Sequence, residues 1–148
     1  MVIVDHVIRD IREEDLRGKE LDTLLLTSEQ RRWVRGRFTT AHGREIAIAL
    51  PTGTVLHAGA VVWIEPDWFL RVHAAPESVL AITPANYAEA VKISFEVGNL
   101  HFPLALDDQE LLVPDDSAMV QLLDRLRVRW QHRQAVFAPI GHGHRHEH

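Results

Sequence analysis

The sequence predicts an α+β protein in two parts. An N-terminal all-β small domain occupies residues 1–75, a C-terminal βαββαβ domain occupies 76–139, and a histidine-rich tail closes the chain at 140–148. Three observations carry this reading. Short apolar runs and period-two alternation fill the first half, separated by turn residues. The second half switches twice to helical spacing. Beyond Pro139 no residue run could bury an apolar face, so the tail is expected to be disordered.

The first half justifies its strands in turn. Val2-Ile3-Val4 and Val7-Ile8 flank Asp5-His6 as a first strand. A charged stretch from Arg9 to Glu20 follows, broken at Gly18, and Leu21 to Leu26 is a short apolar strand. Arg31 to Thr40 alternates imperfectly, with Trp33, Arg35, Arg37 and Thr39 on one side and Val34, Gly36 and Phe38 on the other. Ala41-His42-Gly43 suits a hairpin loop, with glycine where φ must be positive. Glu45 to Leu50 returns with Ile46, Ile48 and Leu50 on one face. Pro51 to Thr54 is a turn, and Val55-Leu56, Ala60 to Glu65 and Trp68 to His73 are three further strands. So many short strands suggest a small β-sandwich or half-barrel.

The composition turns at Ala74-Ala75-Pro76, where the domain boundary is placed. Glu77 to Ile82 reads as a strand, and Thr83-Pro84 as a helix N-cap followed by proline at the first helical position. Tyr87, Ala88, Val91 and Phe95 recur at helical spacing until Gly98-Asn99. A strand hairpin spans Phe102 to Leu106 and Glu110 to Val113. Pro114-Asp115-Asp116-Ser117 opens a second helix with an apolar stripe of Met119, Leu122, Leu123, Leu126 and Trp130, and Gln134 to Ala138 is a last strand. This order is the ferredoxin-like split βαβ arrangement.

Composition removes several classes of function. The charged fraction is 25%, ordinary for a folded protein, and the formal net charge of −5 offers no global field to attract nucleic acid or an anionic membrane. No apolar run approaches the ~20 residues of a membrane span, and the N-terminus lacks the basic start of a secretion signal. The chain has no cysteine, which removes disulfides, thiolate nucleophiles and sulfur-based metal sites and suits a reducing cytoplasm. Nucleotide-binding and hydrolase signatures are absent.

Ten histidines remain as the chemistry-bearing set, and His142, His144, His146 and His148 stand in the last seven residues. Alternating imidazoles on a flexible end bind late first-row divalent ions and can exchange ligands singly. The bland alternative is an inert or engineered tail, although such tags are usually uninterrupted histidine runs. His101 is the second candidate, in Gly98-Asn99-Leu100-His101-Phe102-Pro103 between a helix stop and a strand. A lone loop histidine is usually only solvated. Two copies facing across a dimer axis would supply two ligands. His6, His42, His57, His73 and His132 share no ligand spacing and read as incidental. Asp115, Asp116 and Ser117 read as helix-start chemistry, with an accessory ligand role as the sharper alternative. Arg31, Arg32, Arg35 and Arg37 form a basic strand face, either solvated or a dock for an acidic partner.

Three segments together resemble the urease accessory protein E family, the nickel metallochaperones of urease maturation. They are Ser28 to Ala58, with its arginine-rich strand, glycine hairpin and Leu50-Pro51-Thr52-Gly53-Thr54-Val55-Leu56 turn; Val97 to Pro103, close to the family's Gly-Asn-x-His-x-Pro; and the histidine-rich end after Phe137-Ala138-Pro139. The resemblance spans nearly the whole chain in order. It implies a β-rich domain that contacts protein partners and a ferredoxin-like domain that dimerises. It implies nickel (Ni2+) held by His101 from each protomer, with His142, His144, His146 and His148 as further ligands. It also implies the urease-maturation GTPase and the apo-urease complex as partners. Here Leu100 stands where many members have arginine, and Asp115 and Ser117 stand where some carry extra histidines. The expected function is therefore cytoplasmic nickel delivery by a homodimer, without catalytic turnover. Zn2+ or Cu2+ would suit the same ligands. The rival readings are a small metal-dependent hydrolase using His101 with Asp115 or Asp116, and a metal-storage or adaptor protein.

Overall fold

The computed structural model describes residues 1–140 of the 148, and the expectations for the tail histidines lie outside the described residues. The chain divides into two compact units, the first Met1–Ala75 and the second starting at Pro76.

The N-terminal unit is built from two three-stranded sheets. In the first, β1 (Val2–Val4) pairs parallel with β4 (Glu45–Ala49), which pairs antiparallel with β3 (Arg35–Thr39). In the second, β2 (Glu20–Leu26) pairs parallel with β6 (Trp68–Ala74), and β5 (Val61–Ile64) lies antiparallel on the other side of β6. Alternation drives the packing. Val4, Ile46 and Ile48 from one sheet meet Leu24, Leu26, Val62, Leu70 and Val72 from the other in one buried cluster, closed by Leu50 and Leu56. This is the sandwich solution to two half-apolar sheets.

Several expectations need correcting here. The charged stretch after the first strand contains a single helical turn, α1 (Glu13–Leu16), whose start is tied by the Arg12 N–H donating to the Asp15 carboxylate. Its Leu16 packs with Val61 and Phe69 in a separate small cluster. Arg31 is not on a strand face. It sits in a 3-10 turn, Gln30–Arg32, buried, and its Nη1 donates to the Leu26 carbonyl at 2.8 Å. The basic face of β3 is thus Arg35 and Arg37, both exposed. Val55-Leu56 is not a strand. Leu56 is nevertheless fully buried, and its N–H donates to the Arg31 carbonyl at 2.7 Å.

One buried carboxylate clamps the two sheets. Asp22, on β2, has no exposed surface. It accepts from Thr40 Oγ1 at 2.6 Å, Arg44 Nη1 at 2.8 Å, the His42 N–H at 3.0 Å and the Thr23 N–H at 2.8 Å. Thr40, His42 and Arg44 belong to the β3–β4 turn, and the Arg44 guanidinium also lies over the Trp68 ring of β6 at 3.8 Å. The turn of one sheet is therefore pinned to two strands of the other.

The C-terminal unit is a four-stranded antiparallel sheet with two helices on one face. Its strands are β7 (Pro76–Thr83), β8 (Ala105–Asp107), β9 (Glu110–Pro114) and β10 (Arg129–Val136), in the spatial order β10-β7-β9-β8. With α2 (Tyr87–Asn99) and α3 (Ser117–Leu126), this is the expected ferredoxin-like βαββαβ topology. Leu80, Ile82, Leu111 and Val113 from the sheet bury against Ile93 and Val97 of α2 and Met119, Leu122 and Leu123 of α3. The opposite face buries Val79, Ala81 and Leu112 with Phe137.

Two boundaries differ from expectation. The N-cap of α2 is Asn86, whose side chain accepts the Glu89 N–H at 2.8 Å, while Glu89 returns the bond to the Ala85 N–H. Thr83 stays in β7, opposite Arg129, and donates to Glu110. Strand pairing outcompetes capping there. Trp130 is on β10 and not on the α3 stripe, because Arg127 turns left-handed at φ 56° and ends the helix.

Burial pushes the Asp22 carboxyl up, but its hydrogen bonds from Thr40, Arg44 and the His42 and Thr23 N–H groups outweigh this and hold it below its ordinary value of 3.8. Its stabilising contribution is complete well above that value and is lost as pH falls below it. Asp22→Ala is expected to destabilise the N-terminal unit by about 3 kcal/mol, since it leaves the half-buried Arg44 guanidinium, the buried Thr40 hydroxyl and two N–H groups without their acceptor. Asp22→Asn should flatten the acid limb of stability against pH. Urea unfolding followed by tryptophan fluorescence between pH 3 and 7 reads both.

Candidate metal centre

His101 is placed by the way α2 ends. The His101 N–H donates to the Gly98 carbonyl at 2.9 Å, and the Phe102 N–H reaches back to the Val97 carbonyl at 3.2 Å. These two bonds form a Schellman closure, which needs a left-handed residue at the turn. That residue is His101, with φ 63°. A side chain in this conformation costs roughly 1 kcal/mol that glycine would not incur. Arg127 closes α3 in a similar left-handed way, so such closure recurs in this unit. What sets His101 apart is its surroundings. It is exposed, and among the described residues its ring has no hydrogen bond or ion pair.

The helix leading to it has two apolar faces. Ile93 and Val97 are buried against the sheet. Tyr87, Val91 and Phe95, whose spacing predicted the helix, point outward, with 87%, 57% and 68% of their surface exposed. They recur every four residues and so line one face of α2. Gly98 falls on that same face by helical rotation, and a Cβ built there would meet nothing within 4 Å. Leu100, just past the helix, is also exposed. A continuous apolar stripe thus runs along α2 and stops beside His101.

The chain returns to this region after β10. Phe137 buries on the back of the sheet, and the Ile140 N–H then donates to the Leu104 carbonyl at 2.7 Å. Leu104 is three residues past His101, so the last described residue is tied close to it in sequence terms. His142, His144, His146 and His148 all follow within eight residues of that anchor.

Among the described residues, no group of three or more His, Asp or Glu side chains comes together as a cage for an ion. His101 and Asp116 do not converge: the Asp116 side chain is the N-cap of α3 and accepts the Ala118 N–H at 2.8 Å. Asp115, also read as helix-start chemistry, instead takes the Ser78 hydroxyl at 2.7 Å and lies 3.4 Å from His132 Nδ1. His6 pairs with Asp5 and His42 with Glu20. The Asp115–His132 approach was not legible in the sequence because helix α3 separates the pair by 17 positions, and only the fold of the sheet brings them together. The outward stripe was not legible either, because spacing cannot say which apolar face of a helix is covered.

No described helix is long and apolar enough to cross a membrane. The family model for the UreE urease accessory protein N-terminal domain matches residues 4–75, and that for its C-terminal domain matches residues 77–148. The chain is 36% identical over 145 residues to the urease accessory protein UreE of Synechococcus sp. (strain JA-3-3Ab), covering 96% of this chain and 97% of that protein. It is 37% identical over 118 residues to the Ralstonia nicotianae protein of the same name, covering 77% of this chain and 56% of that longer protein. The Deinococcus radiodurans protein is 38% identical over 116 residues, 78% of this chain and 74% of that one. Two adjoining domain matches in the family's order, over a β-sandwich followed by a ferredoxin-like unit, identify the chain as a member of the UreE family of urease accessory proteins.

Proposed function

We propose that the chain is a homodimeric carrier of divalent nickel for urease maturation. His101 of each protomer meets its mate at the dimer axis, and imidazoles of His142, His144, His146 and His148 complete the coordination. The observation that carries this reading is the placement of His101, without a side-chain partner among the described residues and held by a helix closure at the end of an exposed apolar stripe. A self-complementary contact sets the same patch of two copies against each other, so a residue near its axis meets its own copy. One chain offers a single fixed imidazole there; two chains offer two.

The tail supplies what two imidazoles lack. Its anchor at Leu104 lies three residues from His101, and a chain spans at most ~3.6 Å per residue. In the sequence His142 is two residues beyond Ile140, and a short tether of this kind would raise the effective concentration of its imidazole at the proposed site. Imidazole donors suit nickel, and Zn2+ and Cu2+ fit the same set; the choice of nickel rests on the urease role of the family. Such ligands exchange one at a time, which suits release to a recipient better than a closed cage does. The recipients would be the urease-maturation GTPase and, through it, the apo-urease complex, in the cytoplasm. Binding needs neutral imidazoles, so affinity falls on acidification.

His101→Gly separates the structural role from the ligand role. Glycine fits φ 63° more cheaply, so the variant should be more stable by about 1 kcal/mol. Its nickel affinity, by isothermal titration, should fall by more than the roughly 10- to 100-fold lost with a residue that only orients a ligand. Undiminished tight nickel binding would end the interfacial-site reading. Phe95→Glu places a charge on the stripe without touching the monomer core. Sedimentation should then report monomers that still melt cooperatively, with weakened nickel binding. A dimer unaffected by this substitution would move the interface elsewhere.

A further inference from the structure

The end of α3 has its own left-handed closure, and it is built among cations. Arg127 takes φ 56°, its N–H donates to the Asp124 carbonyl at 3.1 Å, and the Val128 N–H reaches back to the Leu123 carbonyl at 3.3 Å. A residue with a Cβ costs roughly 1 kcal/mol in that conformation relative to glycine. The closure sorts Arg125-Leu126-Arg127-Val128-Arg129 by side. Leu126 and Val128 are half-buried against the core between helices and sheet, and all three arginines are exposed.

Leu126 and Val128 also face a groove. With Ala88, Glu89, Lys92 and Ile93 of α2 they line an open space of about 230 Å³. That is below the ~300–1,000 Å³ of small-molecule sites and matches a single anchoring side chain better than a whole ligand. The nearby carboxylates are engaged. Glu89 accepts the Ala85 N–H at 2.9 Å, and Asp124 accepts the Trp130 indole N–H at 3.0 Å. Lys92, Arg125, Arg127 and Arg129 enter no ion pair among the described residues. A helix C-terminus favours a cation, which accounts for Arg125 and Arg127. It does not account for Lys92, in the middle of α2, or for Arg129, at the start of β10. Four cations without counter-charges thus gather on one aliphatic groove in a chain whose formal net charge is −5.

We propose that this groove docks a short acidic segment of a protein partner. A leucine-like side chain enters between α2 and the end of α3, and flanking carboxylates meet Lys92 and Arg127, with Arg125 and Arg129 at the rim. The aliphatic lining favours a peptide over nucleic acid, since no aromatic side chain lines the groove to stack on a base. Arg127 then has a use for its charge that offsets the cost of its backbone conformation. The proposal does not rest on the role given to His101.

The test is fluorescence anisotropy of the full chain with a fluorescein-labelled peptide that has a central leucine flanked by glutamates. Binding should saturate and weaken as salt is raised. The same peptide with glutamine for leucine should bind at least roughly 10-fold more weakly. Arg127→Gly should weaken peptide binding by roughly 2- to 5-fold while raising the melting temperature, because glycine suits φ 56°. Lys92→Glu, an exposed change that leaves the core alone, should weaken it further. Nickel binding by Arg127→Gly should match that of the unaltered chain, which separates this surface from the site at His101. The proposal is overturned if no saturable binding occurs, or if Lys92→Glu and Arg127→Gly bind the peptide as the unaltered chain does. Equal binding of the glutamine peptide would reduce the groove to a charge effect and overturn it too, as would tighter binding of a labelled oligouridylate or of anionic phosphatidylserine vesicles.

Discussion

The closure of α2 by the Val97 and Gly98 carbonyls governs the C-terminal unit. Those two bonds stop the helix, reverse the chain and set where β8 begins. They do so by holding His101 in a left-handed conformation, so the residue proposed to bind metal is also the hinge of the turn. The backbone thus fixes the direction in which its side chain leaves the turn, and among the described residues no side-chain partner holds the ring. The tail anchor at Leu104 depends on the same reversal, because Leu104 lies in the segment that the turn delivers to the sheet. Ligand placement and fold are thus one local problem.

In the N-terminal unit the corresponding tie is electrostatic. Asp22 gathers a hydroxyl, a guanidinium and one backbone N–H from a turn belonging to the facing sheet, together with the N–H of its own neighbour Thr23. Neither helix capping nor strand alternation requires a carboxylate at that point. Its buried position between Leu21 and Thr23 is legible only once the hairpin is seen folded over it. Arg31 is similar: alternation suggests a strand residue, while its guanidinium is consumed by the Leu26 carbonyl inside the fold. Buried polar groups follow partners that are distant in sequence, so local pattern misplaces them.

What the sequence discloses well is what local physics decides. The period change near Pro76, the glycine hairpin at Gly43 and the two C-terminal helices are all readable. The parallel pairings of β1 with β4 and of β2 with β6 are not, since no short turn joins them. The start of α2 moved from Thr83 to Asn86 because Thr83 is held in β7 by its pairing with Arg129. For the candidate centre, the Gly98-to-Pro103 motif pointed to His101 by family resemblance. The outward turn of Tyr87, Val91 and Phe95 could not be read, because a helix with two apolar faces gives the same spacing whichever face is covered.

Gly98 carries a further consequence. It lies within the last turn of α2, on the exposed stripe, with open space where a side chain would go. Within one chain, alanine would serve better there, since glycine in a helix forgoes about 0.5–1 kcal/mol of stability. A lone protomer is thus locally frustrated at a position one turn from His101. Frustration of this kind relaxes when another backbone approaches closely, which only a residue without Cβ allows. In the proposed dimer, a methyl group at Gly98 would stand between the two copies. If the proposed dimer packs there, stability of the protomer and closeness of assembly pull in opposite directions at this one residue.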